Sequence, residues 1–388
     1  MARLARVEVF AHDEVAIVHV MNRVVRRCFL LGDDPVTGQN YDHRKLWIED
    51  QLRRFAANFG IDLLGFAILS NHFHLILRSR PDVVLQWNDA EVARRWLMLC
   101  PFRKDELRQP EAPTQSEIDS IRNDADKLVK IRQRLSDIAW WMRLLCQNIA
   151  MRANFEDKEQ GRFFQSRYKA VRLLDEQAIL ACAAYVDLNP IRAALAKTVE
   201  TSEFTSAQRR IQALGTAGQP AAATSQPQSK SHARQRPANA KAKPATAVSS
   251  DQRAAALAPD RFLSPVPLEE RTGQLGEVLN QDGVRASDKG FLPCSLTDYL
   301  QLLDWTARQR VKGKRGKTPA TVAPILERLG LTAEVWCDLV GEFGRLFYNV
   351  AGKPQSIDAT PSRLTQQRYY MRSTARKLFA TVPKSTKT

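Results

Sequence analysis

Ile61-Asp62-Leu63-Leu64-Gly65-Phe66-Ala67-Ile68-Leu69-Ser70-Asn71-His72-Phe73-His74-Leu75-Ile76-Leu77 is the stretch on which the fold turns. Two apolar runs, Ile61 to Leu69 and His72 to Leu77, meet at Ser70-Asn71, and strand-length runs joined by so short a polar connection predict a β-hairpin. Upstream, Val15 to Met21 alternates around Ile17, His19 and Met21 as a strand. Asp42 to Phe59 carries Leu46, Leu52, Phe55, Ala56 and Phe59 at helical spacing. Downstream, Leu135, Ile138, Met142, Leu145, Cys146 and Ile149 make the apolar stripe of a long helix. Phe163 to Leu173 then reads as a strand and Glu176 to Leu188 as a helix with Asp175 as N-cap. The order β-α-β-β-α-β-α predicts an α+β fold: a ferredoxin-like antiparallel sheet with helices on one face, plus one extra helix, which bears Tyr185.

Beyond this core, residues 216–250 are rich in Ala, Gln, Pro and Ser, with five Lys or Arg, no acid and no aromatic residue. Such a segment cannot bury enough apolar surface to offset its ordering entropy, so it predicts a disordered basic linker, bounded as 206–258. It separates a first domain, 1–205, from a C-terminal region, 259–388, with helices expected over Ser295–Arg310, Val322–Leu329 and Ala333–Val350. Within the first domain, the charged, proline-containing residues 103–127 read as a surface insertion.

The 58 Lys and Arg against 42 Asp and Glu leave a net charge of +16, an attractive field for polyanions, with nucleic acid the leading partner class. No run approaches the roughly 20 apolar residues of a membrane-spanning helix, and Arg3, Arg6 and Glu8 interrupt the start before a signal-peptide core could form. A cytoplasmic, nucleoid-associated location without membrane contact is the expectation. The six cysteines are scattered singly, which excludes a zinc-finger pattern or a disulfide framework and suggests reduced core thiols.

His72 and His74 stand two apart on an expected strand, so both imidazoles point to one face and Phe73 to the other. Two imidazoles on one face make half a metal site. Imidazole with oxygen ligands suits Mn, Zn or Fe, and phosphate or carboxamide oxygens could recruit Mg. One surface histidine and one hydrogen-bonded histidine would produce the same spacing. Tyr185 and Asn189, four apart at the end of a helix, share a face, although a helical tyrosine is commonly a core-edge residue and Asn189-Pro190 a helix end.

Together, Ala67-Ile68-Leu69-Ser70-Asn71-His72-Phe73-His74, Gly161-Arg162-Phe163-Phe164-Gln165-Ser166-Arg167-Tyr168-Lys169 and Ala184-Tyr185-Val186-Asp187-Leu188-Asn189-Pro190 resemble, in this order, the single-tyrosine HUH transposases, and among them the REP-associated tyrosine transposases. His72-Phe73-His74 matches the motif, with Ser70 standing where a proline is common, and the likeness covers about residues 12 to 200. The resemblance implies that Tyr185 is a nucleophile, that Asn189 joins His72 and His74 around a divalent metal (Mg or Mn), and that single-stranded or hairpin DNA is the partner. It further implies a covalent 5′-phosphotyrosine with release of a 3′-hydroxyl, and a homodimer.

On that likeness Arg23, Arg26, Arg27, Arg162, Arg167 and Lys169 would face phosphate, though solvated charge on a sheet edge would look the same. Because the phosphotyrosine bond conserves energy, no ATP motif is needed, and no G-x-x-x-x-G-K-[ST] occurs. A DNA-binding regulator without catalysis and a metal-dependent nuclease using water remain alternative readings. In the tail, Arg308, Arg310, Lys312, Lys314, Arg315 and Lys317, followed by Tyr348, Tyr369 and Tyr370, offer cations and stacking rings suited to single strands.

Overall fold

The computed structural model describes residues 11, 13–106, 109–165, 167–217, 258–268, 279–309, 322–360, 369 and 371–380. The first strand, β1 (Ile17–Arg23), is followed by helix α1 (His43–Asn58) and the hairpin β2 (Ile61–Ile68) and β3 (His72–Ser79). Next come α2 (Pro81–Gln86), α3 (Asp89–Leu99), α4 (Gln115–Arg122), α5 (Ala125–Leu135), α6 (Ile138–Asp157), β4 (Lys169–Leu173), α7 (Glu176–Asp187), α8 (Asn189–Arg192) and α9 (Ser206–Ala217). The C-terminal region adds α10 (Leu296–Gln309), α11 (Ala323–Leu329), α12 (Ala333–Leu346), β5 (Val350–Ala351), α13 (Pro354–Ala359) and α14 (Ser373–Ala380), so the protein is α+β with a mostly helical C-terminal region.

The sheet order is β2-β3-β1-β4-β5. The first four strands are antiparallel to their neighbours, the ferredoxin-like arrangement expected from the element order, and β5 adds in parallel to β4. Alternation along the strands sorts side chains into two cores. Val18, Val20, Phe66, Phe73, Leu75 and Leu77 face one side, where α1 and α6 close over them with Phe55, Phe59, Trp141 and Leu145. A bulge between Leu63 and Gly65 lets both Leu63 and Phe66 keep this side. Leu64, Ala67, Ile76, Val171 and Leu173 face the other side, where α7 lies on the sheet.

Helix α7 begins as expected, with the Asp175 side chain accepting from the Ala178 N–H at 2.9 Å. Its buried residues include Ala178, Ala181, Cys182 and Ala184, small side chains that let the helix lie close to the sheet.

The C-terminal helices continue this second core: Phe343, Trp336, Leu339 and Tyr299 belong to the same buried cluster as α7. Polar links fix the join. Tyr299 donates its hydroxyl to Asp187 Oδ2 at 2.6 Å, and Ser206 donates to Asp187 Oδ1 at 2.6 Å. At the sheet edge, buried Asp62 pairs with Arg78 (2.7 Å) and Arg80 (3.2 Å) and accepts from Ser287, while Arg78 also donates to the Gly290 carbonyl at 2.8 Å.

Three expectations are corrected. Residues 206–217, assigned to the linker, form α9, whose Arg210 is buried and donates to the carbonyls of Leu64 (2.8 Å) and Ser264 (3.1 Å); sequence composition hid this because the low-complexity run begins within its last turn. The remainder of the linker, 218–257, lies outside the described residues, as do Arg310, Lys312, Lys314, Arg315, Lys317 and Tyr370 of the tail cluster. The expected strand over Phe163–Leu173 is shorter, with only Lys169–Leu173 in the ladder and Phe164 in a single bridge to Val24. Of the six cysteines, none in a disulfide, Cys182 is buried, Cys100, Cys146, Cys294 and Cys337 are partly buried against the two cores, and Cys28 is exposed rather than in the core. Among the described residues no helix is long and apolar enough to cross a membrane.

Candidate active site

The second face of the sheet carries the candidate chemistry. In the β1–β3 register Arg23 lies opposite His72 and Met21 opposite His74, so His19, Met21 and Arg23 share a face with His72, His74 and Ile76. The rings of His72 and His74 are 5.0 Å apart at 75°. Helix α7 brings Tyr185 edge-on to His74, at 5.4 Å and 90° between rings. One turn further on, Asn189 Nδ2 reaches His74 Nε2 at 3.2 Å. His72, His74, Tyr185 and Asn189 thus come together from β3 and from the consecutive helices α7 and α8.

Each histidine has its Nδ1 occupied. His72 Nδ1 is 2.7 Å from Asn71 Oδ1, and the Asn71 amide is oriented by donation from Nδ2 to the Arg27 carbonyl at 3.2 Å. His74 Nδ1 is 2.9 Å from Nε2 of a third histidine, His19. Burial holds all three imidazoles neutral, the form that ligates metals. His19 is pushed down to about 3 by burial and then by the charge of Lys169, and His72 to about 4 by burial and then by Arg23. His74 falls well below the ordinary range from burial, with His72, His19, Arg23 and Lys169 adding to it.

Among the described residues no three His, Cys, Asp or Glu side chains gather into a metal-binding group. The donor set is two neutral imidazoles, with Nδ1 engaged and Nε2 left over, plus a carboxamide. That half-shell fits a divalent cation whose remaining ligands are oxygens of water or phosphate.

The tyrosine is roofed by the C-terminal region. Phe343 of α12 packs on its ring at 5.5 Å, and a Cβ added to Gly344 would stand 3.0 Å from its hydroxyl oxygen. Arg192 lays its guanidinium 4.7 Å from the ring centroid and donates to the carbonyls of Val340 (3.2 Å) and Gly341, tying α8, the tyrosine and α12 together. Burial raises the phenol above its ordinary value, against which Arg192 and a side-chain hydrogen bond with Asn189 pull downward.

The six expected phosphate-facing cations divide into three groups. Arg23 and Lys169 flank the site, but Lys169 Nζ donates to the Gly344 carbonyl at 3.2 Å rather than standing open. Arg26 and Arg27 are exposed in a turn of positive φ, 50° and 63°, just past the end of β1. Arg162 and Arg167 line a separate cavity of about 570 Å³ between α6 and the segment before β4, with Asn22, Arg143 and Phe163. In the tail, Tyr369 accepts from Arg172 at 2.8 Å, so its ring is engaged within the protein.

Sequence reading missed His19, Arg192, Phe343 and Gly344. A signal existed for His19, a histidine at an inward position of an alternating strand. For α12 there was none, because its contact with Tyr185 spans some 150 residues of chain.

Neither a protein-family model nor a curated protein matches this chain. Among solved structures it is similar to a REP-associated tyrosine transposase bound to a REP hairpin, at 12% identity and a TM-score of 0.31, over 54% of this chain and 86% of that one. The functional reading therefore rests on the side chains.

Proposed function

We propose that this protein cuts and rejoins single-stranded or hairpin DNA through a covalent bond between Tyr185 and a 5′-phosphate. The observation that carries the reading is the meeting of Tyr185 and Asn189 at His74, with His72 alongside on the same strand face. In this mechanism the Tyr185 oxygen attacks phosphorus, the bond from phosphorus to the 3′-oxygen breaks, and that oxygen leaves as a hydroxyl after taking a proton. Reversal by another 3′-hydroxyl rejoins strands and frees the tyrosine. A divalent cation, Mg or Mn, held by His72, His74 and Asn189, supplies Lewis-acid stabilisation of the phosphoryl oxygens. Arg192 lowers the cost of ionising the phenol, and Arg23, beside His72, offsets phosphate charge. In this reading residues 1–205 carry the chemistry and 259–388 supply the roof over the tyrosine.

A second reading, a DNA-binding regulator that does not cut, is favoured by one observation, the packing of Phe343 over Tyr185. Incubation of the full chain with labelled single-stranded and hairpin oligonucleotides and Mn²⁺ or Mg²⁺, followed by a denaturing gel, separates the readings. Wild type should form a protein–DNA adduct, and Tyr185→Phe should bind DNA without forming one. No wild-type adduct with either metal sinks the cleavage reading, and cleavage that survives in Tyr185→Phe makes water the nucleophile.

A further inference from the structure

We propose that His19 is a positioning residue that accepts a hydrogen bond from His74 Nδ1 and so holds His74 in the tautomer whose Nε2 lone pair faces Asn189. This rests on the reading of His74 as a metal ligand given above. The two imidazoles lie within 9° of one plane with centroids 5.1 Å apart and a nitrogen–nitrogen distance of 2.9 Å. Rings meeting end to end through a shared proton have this geometry, whereas stacked rings would not bring two nitrogens so close in plane.

A neutral imidazole has one donor and one acceptor nitrogen, so a chain of such contacts must run wholly in one direction or wholly in the other. At the far end the atom facing His74 Nε2 is the Asn189 amide nitrogen, which can only donate. Nε2 therefore accepts, Nδ1 carries the proton, and His19 Nε2 receives it. His19 is 4% exposed and His74 2%, so both rings rely chiefly on protein partners for these roles.

His72 arrives at the same tautomer independently. Its Nδ1 faces Asn71 Oδ1, an acceptor fixed in place because the Asn71 amide nitrogen is committed to the Arg27 carbonyl. Two histidines with unrelated acceptors on Nδ1, and with the unprotonated lone pair placed on Nε2, follow the pattern by which neighbouring groups orient metal-bound histidines.

Long-range ¹H–¹⁵N NMR on the metal-free protein, labelled on histidine, tests the assignment directly. Wild type should show His74 protonated at Nδ1 and bare at Nε2. In His19→Phe, which keeps the volume and loses the acceptor, the Nε2–H form should rise at least tenfold relative to wild type, and in His19→Gln, whose amide oxygen can accept, it should fall back toward wild type. Titration with Mn²⁺, read by electron paramagnetic resonance with and without a single-stranded oligonucleotide, should show affinity weakened on the order of 10- to 100-fold in His19→Phe and restored to within a few-fold in His19→Gln.

Wild-type His74 protonated at Nε2, or an unchanged tautomer in His19→Phe, overturns the proposal. Absence of Mn²⁺ binding by wild type overturns the metal reading instead, and the tautomer measured in the same sample still decides the role of His19. Since the wild-type spectrum needs no variant, poor folding of His19→Phe leaves the test intact.

Discussion

Gly344→Ala probes whether α12 sets the position of the tyrosine. Gly344 lies inside α12 without a positive φ, so alanine should favour the helix by about 0.5–1 kcal/mol. Against that, the new methyl stands 3.0 Å from the Tyr185 oxygen and 3.6 Å from Cζ, and the hydroxyl must yield by a few tenths of an ångström. If misplacement by 1 Å costs about 100-fold, a shift of ~0.3 Å costs roughly four-fold in the rate of adduct formation. The variant should therefore be as stable as wild type and slower.

A double-mutant cycle sharpens the prediction, because Tyr185→Phe removes the atom that clashes. On that background Gly344→Ala should show its full helix gain, raising Tm by about 2–3 °C, while the same substitution in wild type gains less. Adduct rates come from single-turnover assays on a labelled oligonucleotide and stabilities from thermal unfolding. Wild-type rates in Gly344→Ala together with no coupling to Tyr185→Phe would refute control of the nucleophile by α12.

Stability should fall on mild acidification. His19 and His74 have folded pKa values far below 6.5, so the unfolded chain takes up protons that the folded one refuses, and stability present above pH 6.5 is lost as pH falls toward the folded values. At pH 5.5 the loss should be on the order of a kcal/mol per histidine, measurable by urea unfolding at pH 7.5 and 5.5; equal stability at the two pH values would contradict the burial of neutral histidines. Asp62→Ala leaves Arg78 in the interior without its carboxylate, while Arg80 keeps Asp82, and should destabilise by about 3–5 kcal/mol, whereas a loss under 1 kcal/mol would mean that the cluster is solvated. Mn²⁺ binding, followed by electron paramagnetic resonance, should tighten at least tenfold when a single-stranded oligonucleotide is added, since the site offers no carboxylate and stands among Arg23, Lys169 and Arg192. Equal affinity with and without DNA would refute that dependence.

What sequence made legible is what local pattern controls. The hairpin followed from two apolar runs around Ser70-Asn71, and the shared face of His72 and His74 from strand alternation, because both depend on neighbours a few residues away. The partnership of His19 with His74 depends on register instead: only when Met21 falls opposite His74 does His19 become its diagonal neighbour, and alternation alone does not specify which residue faces which. Lys169 was legible as a cation but not as a donor to Gly344, and Tyr369 as an aromatic but not as the acceptor for Arg172. In both cases the partner belongs to an element far along the chain. Net charge of +16 points to a class of partner, polyanions, and says little about individual residues, since the side chains that form the field also serve the fold.

The geometry constrains how DNA could reach the tyrosine. On one side Phe343 and Gly344 lie against the ring and hydroxyl, and Lys169 and Arg192 are bonded to α12 carbonyls, so approach from α12 would have to break that packing. Behind the ring stands His74, buried and backed by His19. Among the described residues, the end of the sheet stands apart from that packing: there Arg23 lies opposite half-buried His72 and the exposed turn carries Arg26 and Arg27. On the function proposed above, a phosphate entering there would come upon Arg26 and Arg27, with Arg23 beside His72 nearer Tyr185. On that proposal the two turn arginines would serve in capture and Arg23 nearer the reaction. Arg162 and Arg167 line a cavity against α6 on the opposite face of the sheet, which on the same proposal would place them outside the reacting centre.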